Sequence, residues 1–552
     1  MSNTLLILIK YIQKNIFVSL SISFYLILVS VHLNDILVYD ESAFVVSAVP
    51  LTCHPPLYVG IMYLLAKIFG NHEFVFRGFG VITNLFAAYF IYQIAENIKQ
   101  NAGKYALFIY LLLPVIVQGS LLIDIDNTLL NFLLIFLIYF YLFHFNKEHK
   151  TRYIYLTALI VLLFWSKSTT TYIFGLVLPL YEIMTNKKKS TALYVFVSFF
   201  IGCLFSFVLL YITTLISGLN FYEATLSHNS VDSVALLTQL ISIKFYIKLF
   251  YNINIILLWA SPYFFLIIFC HIYNKKMKVF FDKQILFLYL IAIFITLPYL
   301  LIQTTAAGFP KYVYPVFSIF AILAGITIFE SGLFNEKSPN RYRNIFLALL
   351  FAVIFFIMGD PLKAPHYMRS AALSNINISM LNEIINFYLV KYFVIILLLS
   401  VFWFINRKKT FLYAVYIMFI AYTISLNLHQ FVADYNVRYT YGEKGFNNAI
   451  NYFLKNNISY DKVLGRYDVQ YYLSNKKILN GTDCELVISC ITNEELERKM
   501  NNSAIEYLCV SKNDLSANKQ KEEIINTIYK FNFDNIKQFD DFIVYGRSSN
   551  SK

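Results

Sequence analysis

Long apolar runs fix what this chain can become. Windows of about 20 residues dominated by Leu, Ile, Phe, Val and Tyr recur along it, and each is long enough to cross the hydrocarbon core of a bilayer as a helix. They lie near residues 16–34, 75–97, 104–120, 127–145, 152–167, 171–186, 191–217, 246–272, 284–303, 312–330, 343–359, 388–406 and 410–430. The expected fold is therefore a polytopic α-helical membrane protein of about thirteen transmembrane helices. Leu57 to Gly70 is apolar but too short to span, and reads as a helix lying along the interface. Composition agrees, since 58% hydrophobic, 18% aromatic and only 14% charged residues lie far from the usage of soluble domains. Lys10 and Lys14 precede the first run and no small-residue cleavage site follows it, so it is expected to be a retained helix.

The net charge of +13 would raise the question of nucleic acid in a soluble protein. Here the cations fall in short clusters between apolar runs, and no nucleic-acid partner is expected. Lys99 and Lys104; Lys147, Lys150 and Arg152; Lys187, Lys188 and Lys189; Lys275, Lys276, Lys278 and Lys283; Lys337, Arg341 and Arg343; and Arg407, Lys408 and Lys409 all fall in alternate loops. The positive-inside rule puts those loops and the N-terminus in the cytoplasm, and an odd number of spans puts the C-terminal part outside. Three long outer loops follow, at 35–74, 218–245 and 360–387. Residues 1–432 then form the transmembrane domain, and from about Ala433 the composition becomes that of a soluble domain over 433–552. Its helix and strand patterns alternate, with strands expected at "KVLGR", "ELVISC" and "IEYLCVS", which suggests a small α/β domain. Of six scattered cysteines, Cys484 and Cys490 could pair outside the cell or stay free thiols, and no His/Cys cluster argues for a metal.

Polar groups gather on the outer side. "YDESAFVVSAVPLTCHPPLY" brings Asp40 and Glu41 close to His54, whose following prolines forbid a helix from running through it. A solvated loop explains an isolated acidic pair, and an interface position explains a lone histidine. Asp124 and Asp126 in "LLIDIDNTLL" precede another helix, where capping accounts for one of the two. Together these carboxylates could orient a nucleophile, act as a base or hold a divalent cation, with Asp40 and Asp126 the candidates for a metal. Arg77, Lys167 and Lys311 stand at the outer ends of spans. Snorkelling explains any one of them, whereas several converging would suit a lipid phosphate. Tyr58, Tyr312 and Tyr314 could line such a cavity or belong to an aromatic belt.

The order of these motifs resembles the bacterial GT-C glycosyltransferases. An Asp-Glu pair follows the first helix, His-Pro-Pro-Leu comes next, then "KIFGNHEFVFRGFG", an Asp after the third helix, Lys-Ser after the fifth and "KYVYPVFS". The nearer resemblance is to the branch containing lipid A aminoarabinose transferases and relatives of protein O-mannosyltransferases, over roughly residues 10–330 by motif. It implies transfer of a sugar from a polyprenyl-phosphate carrier to an envelope glycolipid or glycoprotein at the outer face of the bacterial cytoplasmic membrane. No cofactor beyond a possible divalent cation is implied. By the same resemblance Asp40 with Glu41 and Asp126 fall on the family's catalytic acidic positions, with Asp124 a substitute. His54 stands where the lipid A branch usually has Lys, and Arg77, Lys167 and Lys311, with Tyr312, match positions expected around the carrier phosphate. An inverting displacement at the anomeric carbon follows, with the phosphate as leaving group and Asp40 as base if the acceptor is a hydroxyl. A transporter of lipid-linked sugar is the rival reading, weakened by the absence of an internal repeat and by polar groups gathered on one face.

Overall fold

The computed structural model describes residues 16–37, 41, 44–45, 55–145, 151–186, 189–217, 242–275, 282–302, 309–332, 341–359, 408–432, 445–476, 488, 491–518 and 520–548. The helical part runs through α1 (Ile16–Ser30), α2 (Leu57–Phe69), α3 (Glu73–Ile98), α4 (Gly103–Leu112) and α5 (Pro114–Leu121). A π-helical turn, Asp126–Leu130, opens α6 (Asn131–Phe143), followed by α7 (Thr151–Ser166), α8 (Ser168–Asn186) and α9 (Lys189–Ser217). Then come α10 (Ile243–Ala260), α11 (Pro262–Lys275), α12 (Lys283–Ile302), a 3-10 turn at Lys311–Val313, α13 (Tyr314–Ser331), α14 (Arg341–Ile357) and α15 (Lys408–Val432).

The expectation of about thirteen spanning helices is overturned. Among the described residues six helices are long and apolar enough to cross a membrane, or seven if α4 and α5 count as one bent span. Apolar windows overcount because they do not register where a helix breaks. Window 104–120 bends by 64° between Leu112 and Pro114, where proline has no N–H to continue the ladder. Asn427 Nδ2 donates to the Leu112 carbonyl there, at 2.6 Å. Window 246–272 divides at Ser261, whose backbone is left-handed with φ 80°, and Tyr422 donates to Leu258 O at 2.7 Å just before the break. Windows 16–34, 152–167 and 343–359 yield only short apolar helices. Window 388–406 lies outside the described residues. The chain is a multi-pass membrane protein all the same, with an extramembrane C-terminal part.

Small and polar residues let the central helices close on one another, as they must where lipid is as apolar as leucine. A Cβ at Gly325 of α13 would collide with the backbone of Ala106 in α4, and one at Gly80 of α3 with the Ser120 carbonyl. A buried network ties four helices: Tyr110 donates to Asn84 Oδ1 at 2.6 Å, Tyr314 to the same oxygen at 3.0 Å, Asn131 Nδ2 to Tyr110 Oη at 2.9 Å, and Ser318 to Asn131 Oδ1 at 2.7 Å. Tyr314, expected near a cavity or in a belt, is fully buried here, and Tyr58 is buried with its ring edge-on to Phe44.

The C-terminal part contains α16 (Phe446–Lys455), β1 (Val463–Leu464), α17 (Tyr467–Leu473), α18 (Asn493–Met500), β2 (Tyr507–Ser511), α19 (Lys512–Ala517), α20 (Lys521–Lys530), β3 (Phe533–Phe539) and β4 (Phe542–Arg547). The sheet order is β1-β2-β4-β3, parallel only between β1 and β2. The strands expected at "KVLGR" and "IEYLCVS" correspond to β1 and β2, while "ELVISC" and Cys484 and Cys490 lie almost wholly outside the described residues. Alternation along β2 divides two cores: Cys509 joins the large cluster that continues into the membrane helices, and Leu508 and Val510 face a second cluster with Leu496, Ile524 and Ile528. The buried residues of α16, Phe446, Ala449, Ile450 and Phe453, keep helical spacing and join the first of these.

Gly325→Val should lower the thermal unfolding midpoint in detergent, by the equivalent of about 1–3 kcal/mol, because overpacking has no flexible side chain to displace there. Gly60→Ala, whose added Cβ meets nothing within 4 Å, should leave the midpoint unchanged or raise it, and equal loss in both variants would refute the close helix crossing.

Candidate active site

Two aspartates and two lysines meet at the ends of five helices. Asp124 and Asp126 lie between α5 and α6, in a stretch that turns on itself: Asp126 N–H donates to Asp124 Oδ1 at 2.9 Å, and Thr128 Oγ1 donates to Asp124 O at 2.7 Å. The π turn follows at once, with Leu130 N–H reaching Ile125 O at 3.0 Å. Such turns recur where a helix has to aim a side chain, and here Asp126 is the residue that begins it. Lys167 occupies the break between α7 and α8, which turns it inward instead of toward lipid. Its Nζ is 2.6 Å from both oxygens of Asp126. Lys311, delivered by the turn after Pro310, lies 2.9 Å from Asp124 Oδ2.

An aromatic floor supports the cations. Lys167 Nζ stands 4.4 Å from the centre of the Tyr312 ring and Lys311 Nζ 5.3 Å from it, within cation–π range. Tyr312 is stacked on Tyr299 with ring centres 5.4 Å apart, and the Tyr299 hydroxyl shares a 2.9 Å hydrogen bond with Thr170. Both carboxylates and Lys167 are buried, and Lys311 is nearly so. Two negative and two positive groups leave the cluster neutral, which is what makes burial of four charges tolerable.

Arg77 and Glu41 form a separate arrangement. Arg77 is fully buried, four residues into α3, and Glu41 is 1% exposed. Arg77 Nη1 donates to Glu41 Oε1 at 2.7 Å and to Leu121 O at 2.6 Å. Its Nη2 donates to Glu41 Oε2 at 3.1 Å, Asp35 O at 3.1 Å and Ile36 O at 3.0 Å. Glu41 Oε1 also accepts from Ile123 N–H at 3.2 Å. The sequence suggested Arg77 as a phosphate contact and Glu41 as a catalytic carboxylate. In the structure Arg77 spends its donors on this carboxylate and on backbone carbonyls, which makes the pair a clamp on the loop. Asp40 and His54 lie outside the described residues. Among the described residues no group of three or more His, Cys, Asp or Glu side chains is arranged to hold a metal, and Asp126, considered for one, is paired with Lys167.

Tyr299 and Thr170 were not singled out by the sequence, nor was Glu73, which meets Tyr472 and Lys476 of the C-terminal part. Nothing in "ITLPYLL" or "SKSTTT" distinguishes a platform tyrosine or its threonine from ordinary span residues, because their neighbours come from helices far apart in sequence.

Comparison with known proteins bears on this geometry. Residues 53–212 match the family model described as dolichyl-phosphate-mannose-protein mannosyltransferase. That stretch includes Arg77, Asp124, Asp126 and Lys167. The chain is similar in structure to ArnT from Cupriavidus metallidurans bound to undecaprenyl phosphate, with a TM-score of 0.59 and 14% identity over 97% of this chain and 98% of that one. The apo form of ArnT from the same organism gives a TM-score of 0.59 and 13% identity over 97% of this chain and 99% of that one. At such identity the likeness establishes a common fold. No curated protein matches the chain by sequence.

Lys167→Met should destabilise the protein by about 3–5 kcal/mol, since it strands a buried carboxylate. Adding Asp126→Asn should recover most of that loss in thermal unfolding, and a neutral effect of Lys167→Met alone would contradict the buried pair.

Proposed function

We propose that this chain is a GT-C-like glycosyltransferase that moves a sugar from a polyprenyl-phosphate carrier to an envelope glycolipid of the lipid A or lipopolysaccharide kind. The observation that carries the reading is the pair of buried lysines on one tyrosine floor, each held by its own aspartate. A phosphodiester offers the oxygens that two ammonium groups can bind, at headgroup depth where such contacts are strong. The ArnT structure with undecaprenyl phosphate bound, on the same fold, supports a lipid phosphate as the occupant. We take the site to face the outer side of the bacterial cytoplasmic membrane, with the N-terminus inside, because Lys10 and Lys14 precede the first apolar run.

In this mechanism the carrier phosphate enters beside Lys167 and Lys311 and takes over part of their pairing with Asp126 and Asp124. The acceptor oxygen attacks the anomeric carbon from the face opposite the phosphate, the carbon–phosphate oxygen bond breaks, and configuration inverts. The two ammonium groups stabilise the charge that grows on the departing phosphate. Asp40 takes the proton of a hydroxyl acceptor; a phosphate acceptor would need no base and would leave Asp40 to orient it. Arg77 and Glu41 tie residues 35–36 to Leu121 and Ile123, next to the aspartates that hold the lysines. Protein O-glycosylation by the same chemistry is the nearest alternative, and the mannosyltransferase family match favours it as the second reading.

Purified protein in lipid vesicles, supplied with radiolabelled polyprenyl-phosphate sugar and glycolipid acceptor, is expected to form a labelled glycolipid. Asp40→Asn should abolish that product, and Lys311→Met should lower kcat/KM by about 10²–10³. Sugar flux across the vesicle membrane without any covalent product would favour a transporter, and full activity of Asp40→Asn would remove it from the reaction. Label appearing on protein instead of glycolipid would select the second reading.

A further inference from the structure

The segment that runs from α1 toward Asp40 and Glu41 is gripped on both edges of its backbone. On the carbonyl side Arg77 Nη2 holds Asp35 O and Ile36 O. On the amide side Leu37 N–H donates at 2.6 Å to the hydroxyl of Tyr472, at the C-terminal end of α17 in the sheet-bearing part of the chain. That hydroxyl donates in turn to Glu73 Oε1 at 3.0 Å. Lys476 Nζ lies 2.6 Å from Glu73 Oε2, and Asn71 Nδ2 donates to Lys476 O at 2.7 Å. Burial, with the Glu73 carboxylate beside it, pushes the Tyr472 hydroxyl well above the ordinary phenol range, so it keeps the proton it donates.

Glu73 and Arg77 are four residues apart on α3 and therefore share one face of it. One helix face thus holds the segment directly through Arg77 and indirectly through Glu73 and Tyr472. A single grip would leave the strand free to pivot, whereas grips on opposite edges fix its rotation too. Leu37 is fully buried, so an amide left without Tyr472 has no water to turn to. Asp40 follows three residues later in the sequence.

We propose that Tyr472, with Glu73 and Lys476, forms a positioning device through which the C-terminal part of the chain sets the acidic segment for reaction. This rests on the glycosyl-transfer reading, in which a misplacement of about 1 Å in a reacting group lowers the rate about 10²-fold. Tyr472 touches no reacting atom and acts only through Leu37, so its removal reaches catalysis and leaves the lysine floor untouched.

The test uses the full-length protein in nanodiscs. Tyr472→Phe should lower kcat about 10–100-fold while KM for polyprenyl-phosphate sugar changes by less than about twofold. Amide exchange at Leu37, followed by mass spectrometry of overlapping peptides, should speed up about tenfold. Glu73→Gln keeps an acceptor for the hydroxyl and should retain most of the activity, whereas Glu73→Ala should behave like Tyr472→Phe. Lys462→Gln, which breaks only an exposed pair with Glu506 in the same part of the chain, should change none of these. Unchanged exchange at Leu37 in Tyr472→Phe would overturn the proposal, and so would a joint loss of kcat, KM and thermal stability. If the unaltered protein transfers no sugar, the glycosyl-transfer reading fails, and exchange at Leu37 still decides whether Tyr472 holds the segment.

Discussion

A guanidinium with no access to water holds this structure in order. Arg77 binds the Glu41 carboxylate through two nitrogens and takes the carbonyls of Asp35, Ile36 and Leu121 as well. Three pieces of chain meet on it: the segment after α1, the first turns of α3 and the end of α5. A planar fork suits this because it offers several donors in fixed directions, which a lysine in the same place could not. Glu41 returns the connection by accepting from Ile123, one residue before Asp124. The acidic loop and the aspartates of the lysine cluster are thereby set against one another through a single ion pair.

The second cluster obeys a different economy of charge. Arg77 and Glu41 bond each other and the backbone of Asp35, Ile36, Leu121 and Ile123. In the Lys167–Asp126 and Lys311–Asp124 pairs each ammonium lies against a carboxylate and the Tyr312 ring, and Lys167 also meets the Tyr299 ring. An ammonium is a compact charge with rotatable donors and can exchange one oxygen partner for another. Stable folding asks for neutrality in a buried site, and recognition of an anion asks for positive charge. The aspartates meet the first by neutralising the lysines, and in the proposed reading an entering lipid phosphate competes with them for the second.

Much of this was legible in the chain, and what was not has identifiable causes. Apolar runs located the helices to within a few residues at α3, α6, α9, α12 and α15, because burial and lipid contact select the same side chains over a whole helix. They failed at Leu112–Pro114 and at Ser261, where polar side chains from α15 meet carbonyls beside the breaks and hydropathy alone registers no interruption. In the C-terminal part, β3 and β4 went unexpected: the sequence "FDNIKQF" is largely exposed along β3, and its turn relies on a positive φ at Asp540. Asp124, Asp126, Lys167, Lys311 and Tyr312 were each marked as candidates, and the fold brings all five together. The sequence could not reveal the pairing of Arg77 with Glu41, because the depth of Arg77 in the fold depends on carbonyls supplied by two distant segments, Asp35–Ile36 and Leu121.

The sheet has one further consequence for how such a protein holds together. Its first face continues the hydrophobic core of the helices and its second packs against α18 and α20, so it is not an appendage joined by a flexible tether. Polar contacts between the two parts fall at the mouth of α3: Glu73 with Tyr472 and Lys476, and Asn71 with the Lys476 carbonyl. Within the helical part, His32 holds the same loop, bonding Asp35 through Nδ1 and the Gln430 carbonyl of α15 through Nε2. Hydrophobic continuity gives the two parts adhesion without direction, and it would tolerate small sliding. Hydrogen bonds to individual atoms of residues 35–37 do not tolerate it. The polar contacts therefore fix the register that the shared core leaves open, and they do so at the segment that enters the acidic motif.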